Sequence, residues 1–206
     1  MGKTLKKMGK MSRRDGVALS TSDKVLKVMQ RRAYVPGQHG SPKARPARLS
    51  VFALQLREKQ KAKRLYGVLE KQFRNYFEKA NRMPGNTAEN LPRLLEQRLD
   101  NVVFRLGFAK TRPQARQMVA HALFTVNGKK VNIPSYQVRV DEVIAIRGNK
   151  IEKGVFTDLA ERQKNHTVPS WLTLNGQTEG KVVSIPAGED LKEVYDPKLI
   201  VEFYSR

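Results

Sequence analysis

Cationic side chains surround the start of a predicted helix in the middle of the chain. Thr111 and Gln114 have the spacing of a capping box, and Pro113 between them suits a first helical turn. Arg112 and Arg116 follow one turn apart, outside the apolar face of the helix. Cations at a helix N-terminus oppose the helix dipole, and they are better tolerated where an anion binds. The chemistry predicted for these residues is therefore the binding of phosphate.

A β-hairpin is predicted directly after this helix. Asn127 and Gly128 separate two short runs of β-prone residues, which is the strongest short signal for a two-residue turn. The basic residues that could converge on one surface around this helix and hairpin are Arg98, Arg105, Lys110, Arg112, Arg116, Lys129 and Lys130. The neighbouring candidates for RNA contacts are Thr111, Gln114, Gln117, Asn127 and Gly128. The alternative is that the arginines form the solvated face of an ordinary helix.

The net charge favours RNA binding by these arginines over the solvated face of an ordinary helix. The 206 residues include 40 Lys and Arg against 19 Asp and Glu, a formal charge of +21. Residues 1–70 contain 18 basic and 4 acidic residues, and residues 101–150 contain 9 and 2, whereas residues 151–206 contain 7 and 9. Solubility alone requires far less charge, with the signs mixed. An excess concentrated in two blocks is typical of a protein that binds a polyanion, above all a nucleic acid.

Several classes of protein are disfavoured by what the sequence lacks. Because there is no cysteine, disulfides, thiolate catalysis and cysteine-bound zinc are excluded. His39, His121 and His166 are far apart in sequence, and we predict neither a metal site nor a cofactor. No apolar run approaches the roughly 18 residues of a membrane span, and no signal peptide is found. We therefore expect a cytoplasmic protein without membrane association.

Helices are predicted ahead of the central segment. A helix from the N-cap Ser50 to about Tyr66 carries a basic stripe. Either solvent or phosphate must offset the repulsion along this stripe, and the overall positive charge favours phosphate. In the next helix apolar residues recur every four positions, which predicts core packing. A third helix is predicted to begin at Thr87 or, because of Pro92, at Asn90. The candidate RNA contacts on the first two of these helices are Arg57, Lys59, Lys61, Lys63, Arg64, Arg74 and Asn75.

The remaining segments alternate between helix and strand patterns. Apolar spacing from Leu99 predicts a short helix that ends at Gly107. A short helix is also predicted near 155–163, and the terminal KLIVEFYS is read as a helix, with a strand as the alternative. Strands are predicted at 136–140, 143–147, near 171–174 and near 181–185.

A resemblance to a known family rests on RLDNVVFRLGFAKTRPQARQMVAHALFTVNGKKVNIPSYQVRVDEVIAI. This stretch is similar to a small RNA-binding domain found in some pseudouridine synthases, in bacterial tyrosyl-tRNA synthetases and in small-subunit ribosomal protein four. The ribosomal protein family itself is matched, in the same order, by PGQHG, LREKQKAKRLYGVLEKQFRNYF, GNTAENL and LIVEFYS. The resemblance covers nearly the whole chain.

The resemblance implies an α+β fold in four parts. Residues 1–48 would be a basic arm with turns, ordered only against a partner. Residues 49–97 would form a helical domain completed by residues 190–206. Inserted into it, residues 98–160 would form an RNA-binding domain of two short helices and a small antiparallel sheet. Residues 161–189 would be a β-rich extension packed on that domain.

The resemblance also implies a role. The chain would be a structural constituent of the small ribosomal subunit and not an enzyme. It would bind small-subunit rRNA, nucleate assembly of the subunit body and lie near the channel where mRNA enters, influencing accuracy. Its protein partners would be ribosomal proteins five and three, without homo-oligomerisation. The candidate contacts in the arm are Arg13 and Arg14 for rRNA, and Lys43, Arg45 and Arg48 on the mRNA side. Many relatives bind zinc through arm cysteines, which this chain lacks, so RNA or a neighbouring protein would hold the arm.

Two other classes of function remain open. The helices on either side of Gly107 could mimic a DNA-binding helix-turn-helix, although the hairpin that follows and the lack of a dimerisation heptad argue against it. The chain could also be an RNA-modifying enzyme that carries this domain. However, about 97 residues precede the domain, which is too short for such a catalytic domain, and no catalytic grouping is evident.

Overall fold

The computed structural model describes residues 7–37, 40, 48–151, 154–164 and 166–205. These residues have an α+β structure, as predicted, and the chain divides into two compact units. The first unit combines the chain up to Leu91 with the segment from Lys192 onward, and the second comprises Pro92–Leu191.

Two short helices lie near the N-terminus, where the sequence analysis expected only turns. They are α1 (Met8–Asp15) and α2 (Asp23–Arg31). The helices approach closely at Gly9, where an added Cβ would lie 3.3 Å from a methyl carbon of Val28. In α2, Val25, Val28 and Met29 do have helical spacing, but the run is short, and the only large apolar residues of α1 are two methionines, so no sustained period predicted this pair.

The long helix α3 (Val51–Leu65) begins as predicted. The hydroxyl of Ser50 accepts a hydrogen bond from the Ala53 N–H at 3.2 Å. The C-terminal segment forms α9 (Pro197–Tyr204), which packs along α3, so the helix interpretation is confirmed and the strand alternative is wrong. Ile200 of α9 is fully buried, and the carboxylate of Glu202 accepts a hydrogen bond from Gln55 of α3 at 2.8 Å.

Two further helices follow α3. Helix α4 (Glu70–Arg82) buries Phe73 and Tyr76, as its apolar period predicts. Helix α5 (Thr87–Glu96) begins at the earlier of the two predicted positions, with Pro92 inside it. The side chain of Asn86 accepts from the Ala88 N–H at 2.9 Å, which fixes the earlier start.

The second unit begins with a helix pair that covers one antiparallel sheet. The helices are α6 (Leu99–Arg105) and α7 (Arg112–Ala120), joined by a turn in which Gly107 has a φ of +76°. The strands are β1 (Phe124–Val126), β2 (Lys129–Val131), β3 (Val143–Ile146), β4 (Leu172–Asn175) and β5 (Glu179–Val182). Their order in the sheet is β2-β1-β3-β5-β4. A six-residue helix, α8 (Leu159–Lys164), lies between β3 and β4 in sequence.

The hairpin and its turn are confirmed. Thr125 lies opposite Lys130, and Asn127 and Gly128 have φ values of +48° and +77°, as a type I′ turn requires. The strand predicted at 136–140 is wrong. This segment is a loop whose Val138 N–H donates to the Gln97 carbonyl at 2.9 Å, so its backbone bonds to the helix region instead of to the sheet.

The C-terminal end of helix α6 packs tightly against strand β5 of the sheet. Gly180 of β5 is buried, and an added Cβ there would lie 2.6 Å from a methyl carbon of Leu106. The core of this unit includes Phe108, Phe124 and Trp171, which are all nearly inaccessible to solvent. This core fixes α6 and α7, the helices that carry the predicted cationic surface.

Candidate RNA-binding surface

The cap that was predicted for α7 is present. The hydroxyl of Thr111 accepts from the Gln114 N–H at 3.3 Å. The side-chain oxygen of Gln114 accepts in return from the Lys110 N–H at 2.9 Å, one residue earlier than in the usual capping box. The start of α7 is therefore fixed by reciprocal hydrogen bonds, and its first turn carries Arg112.

Arg112 is held on two sides. Its Nε–H donates to the side-chain oxygen of Asn101 at 2.8 Å, and its guanidinium lies over the ring of Phe104, 4.8 Å from the centroid. One terminal nitrogen lies 3.8 Å from Glu96 Oε1, and 14% of the side chain is exposed. Arg112 is thus an ordered cation that reaches the surface along part of its side chain.

Arg105 of α6 binds the same carboxylate. Its Nε donates to Glu96 Oε2 at 2.9 Å and its Nη2 donates to Oε1 at 3.1 Å, which is a bidentate pair. The side chain of Glu96 is fully buried, whereas 23% of that of Arg105 is exposed. The amide of Asn101 also donates to Glu96 Oε2, at 2.8 Å. One buried carboxylate therefore orients two partly exposed arginines.

A second buried carboxylate belongs to Asp100, four residues further along the chain. Arg98 donates to it through Nε at 3.0 Å and through Nη2 at 2.7 Å, and the side chain of Arg98 is fully buried. The expectation that Arg98 presents its charge on the surface therefore disagrees with the structure, because its guanidinium is used inside the fold. Arg116 of α7 lies 3.8 Å from Asp100 and keeps 17% of its side chain exposed.

The structure thus brings together three partly exposed arginines, Arg105, Arg112 and Arg116, which we call the arginine cluster. The carboxylates that organise it, on Glu96 and Asp100, were not predicted, because no acidic residue was considered as part of a surface for RNA. A signal was present, because Glu96 and Asp100 are the acidic residues that stand among the arginines of this segment.

The other candidates in this unit lie at the surface. The exposed residues are Lys110, Gln117, Asn127, Gly128, Lys129 and Lys130, while Thr111 and Gln114 are half-buried and form the cap. Lys110 pairs with Asp158 at 2.9 Å. The side chain of Asn127 accepts from the Val143 N–H at 2.9 Å and so stabilises the hairpin turn. Convergence of the hairpin lysines with the arginine cluster stays a prediction.

In the first unit, the basic stripe of α3 is balanced by carboxylates of the fold. Lys59 and Lys63 both bind Glu70, at 2.7 and 2.8 Å, and Lys59 also lies over the ring of Phe203. Further pairs join Lys61 to Glu58 and Arg64 to Asp15. The repulsion along this stripe therefore does not require phosphate to offset it, contrary to the expectation.

The remaining candidates of the first unit differ in exposure. Arg14, Arg48, Arg74 and Asn75 are exposed, and Arg13 and Arg57 are half-buried. Arg13 donates to the Tyr34 carbonyl at 3.0 Å, and Arg74 pairs with Glu78. Lys43 and Arg45 lie outside the described residues.

The lysines of α3 also set the ionisation of Glu70. Burial alone would raise the pKa of this carboxyl, but hydrogen bonds and charge from Lys59 and Lys63 lower it from 4.5 to about 2. Ionised Glu70 therefore stabilises the fold above about pH 4.5, and this contribution is lost as the pH falls through about 2.

Replacing Glu70 by Gln is therefore expected to lower the free energy of unfolding by about 1 kcal/mol at pH 7, since the pair is half exposed. The difference from the wild type should shrink as the pH falls from 4.5 towards 2. Urea unfolding at a series of pH values measures it. Gln at the exposed Glu89 controls for the lost charge, and a Glu70 difference that does not change with pH would contradict the assignment.

Neither a metal site nor a membrane-spanning helix is found in the part of the chain that the structure describes. No group of three or more His, Asp or Glu side chains there could hold a metal ion. Among those same residues, no helix has the length and apolar character needed to cross a membrane.

Two family models match consecutive segments of the chain, which together span residues 3–144. Residues 3–96 match the family model "Ribosomal protein S4/S9 N-terminal domain", and residues 97–144 match "S4 domain". A small ribosomal subunit protein uS4 from Roseiflexus castenholzii is 50% identical over 100% of both chains. Proteins of the same name from Roseiflexus sp. and Chlorobium limicola are 52% and 49% identical, over 97% and 96% of each chain. The resemblance inferred from the sequence motifs is confirmed, and the chain belongs to the small ribosomal subunit protein uS4 family.

Proposed function

We propose that this protein binds small-subunit rRNA through the arginine cluster of its second unit, as a structural constituent of the small ribosomal subunit. The observation that carries the proposal is the arrangement of Arg105, Arg112 and Arg116 around buried acceptors, with each side chain partly exposed. The names of its relatives, small ribosomal subunit proteins, supply the ribosomal context.

The arrangement suits a phosphate backbone. A guanidinium is planar and always charged, and it can bind phosphate oxygens through two parallel N–H groups. Arg112 stands in the first turn of α7, where the helix dipole also favours an anion. Basic contacts of this kind position RNA without reading its sequence, so specificity would come from the shape of the folded rRNA.

Finer elements of the role follow from the family resemblance and are part of the proposal. The protein would nucleate assembly of the subunit body and lie where mRNA enters, influencing accuracy. Lys43, Arg45 and Arg48 would contact mRNA, and ribosomal proteins five and three would be its protein partners, without homo-oligomerisation. The division into an arm at 1–48, a helical domain completed by 190–206, and an RNA-binding domain with a β-rich extension belongs to this proposal.

Replacing Arg112 and Arg116 together by Gln tests the proposal. Loss of two charge-assisted contacts is expected to weaken binding of small-subunit rRNA by about 100-fold. The slope of log affinity against log salt concentration should fall by about 2. Gln is used because a glutamate at either position would face the buried carboxylates Glu96 and Asp100. Filter binding or fluorescence anisotropy at several salt concentrations measures both quantities.

The matched control replaces Lys164 and Lys198 by Gln. Both lysines are exposed and lie in the C-terminal quarter of the chain, which carries a slight acidic excess. This variant loses the same two charges and is expected to bind within a few-fold of the wild type. Equal losses in the two double variants would contradict a role for the arginine cluster, because net charge alone would then explain binding.

A further inference from the structure

Two buried carboxylates lie behind the arginine cluster. The side chain of Glu96 is fully buried and that of Asp100 is only 6% exposed. A buried carboxylate costs free energy unless it is paired and hydrogen-bonded. In a protein that binds a polyanion, the negative charge of such a carboxylate also repels the ligand that the arginines attract.

The hydrogen bonds of Glu96 show what it does in the fold. It accepts from Arg105 through Nε and Nη2, and from the amide of Asn101, at 2.8–3.1 Å. The bidentate contact fixes the plane of the Arg105 guanidinium as well as its position.

The same carboxylate reaches Arg112 through Asn101. The amide nitrogen of Asn101 donates to Glu96 Oε2 at 2.8 Å and to the Glu96 carbonyl at 3.0 Å. With its nitrogen directed at Glu96, the amide presents its oxygen to the Nε–H of Arg112, 2.8 Å away. Phe104 supports a face of this guanidinium.

We propose that Glu96 is a positioning residue for RNA binding, which holds Arg105 directly and Arg112 through Asn101 before RNA arrives. The inference rests on the function proposed above. Its physical basis is that ordering a long side chain at an interface costs free energy, and a cation that is already ordered avoids that cost on binding. The ordering gained outweighs the repulsion between one buried carboxylate and RNA.

The test is Glu96→Gln in the full chain, with small-subunit rRNA as the probe. The substitution raises the net charge from +21 by one, so long-range attraction alone predicts tighter binding. The positioning role predicts the opposite sign, an affinity about tenfold weaker, because RNA must then order two arginines. Glu161→Gln, at an exposed position of α8, makes the same charge change and is expected to bind as tightly as the wild type or slightly tighter.

Two measurements separate positioning from a loss of structure. Circular dichroism and urea unfolding establish that Glu96→Gln is folded, and a purely structural role would then leave the affinity of the folded protein unchanged. The Nε–H resonances of Arg105 and Arg112 in the protein without RNA are expected to exchange faster with solvent in the variant, while those of other arginines stay the same.

A second variant keeps the proposal testable if Glu96→Gln does not fold. Asn101→Ala removes the amide oxygen that accepts from the Nε–H of Arg112, without a change in charge, and an affinity about threefold weaker is expected, since one arginine is held less firmly. Unchanged or tighter binding by the folded variants would overturn the positioning role alone. Failure of the wild type itself to bind would overturn the proposed function as well.

Discussion

Raising the salt concentration from about 50 to about 200 mM is expected to weaken rRNA binding by about 10³–10⁵-fold, if roughly 6–10 phosphates are neutralised. The expectation follows from the excess of 40 basic over 19 acidic residues and from its concentration in two blocks of sequence. Each contact between a cation and a phosphate releases condensed counterions, and added salt makes that release less favourable.

The measurement is a series of affinity determinations at fixed pH, plotted as log affinity against log salt concentration. The double variant Arg112→Gln with Arg116→Gln provides the internal comparison, because its line should be less steep by about 2. A wild-type affinity that changes by less than about tenfold over this range would mean that stacking and neutral hydrogen bonds dominate, and the electrostatic account would fail.

Asp100→Ala is expected to lower the free energy of unfolding by about 3–5 kcal/mol. The substitution leaves the guanidinium of Arg98 fully buried without the carboxylate that accepts two of its hydrogen bonds. An uncompensated buried charge is among the most costly defects that a single substitution can make.

Urea unfolding followed by circular dichroism measures this loss. Replacing both partners, with Arg98→Met and Asp100→Leu, should recover most of the stability, because the buried guanidinium is removed together with its carboxylate. Asp158→Ala breaks the exposed pair with Lys110 and should leave the unfolding midpoint unchanged. A loss below about 1 kcal/mol for Asp100→Ala would show that water reaches Arg98 in solution.

Local signals in the sequence predicted much of the fold. The cap at Thr111, the Asn127–Gly128 turn and the helix at 197–204 all depend on residues close together in the chain, and all are confirmed. The prediction of a strand at 136–140 is wrong. The alternation of residues in this segment suggested a strand, but it does not show that the backbone of the segment bonds to Gln97.

The candidate site was less predictable than the fold, because the partners of charged residues are set by tertiary structure. Arg64 pairs with Asp15, 49 positions away in sequence. Without knowledge of such pairs, the positive charges along α3 have no evident carboxylates that neutralise them. Arg98 and Arg105 both look like surface cations in sequence, yet one is fully buried and the other is partly exposed. Counting basic residues therefore identifies a candidate region for anion binding but does not separate its surface cations from those that are used inside the fold.

The uS4 family assignment also settles the enzyme alternative: the protein is a ribosomal component and not an RNA-modifying enzyme.

The order of the sheet has a consequence for any shortened version of the protein. The matched S4 domain ends at residue 144, inside β3, but β5 pairs with β3 on the side away from the hairpin. A fragment cut at that boundary would lose the second half of β3 as well as all of β5, and β1 would be left with unpaired peptide groups that invite aggregation. A shortened version should therefore extend at least through Val182, where β5 ends.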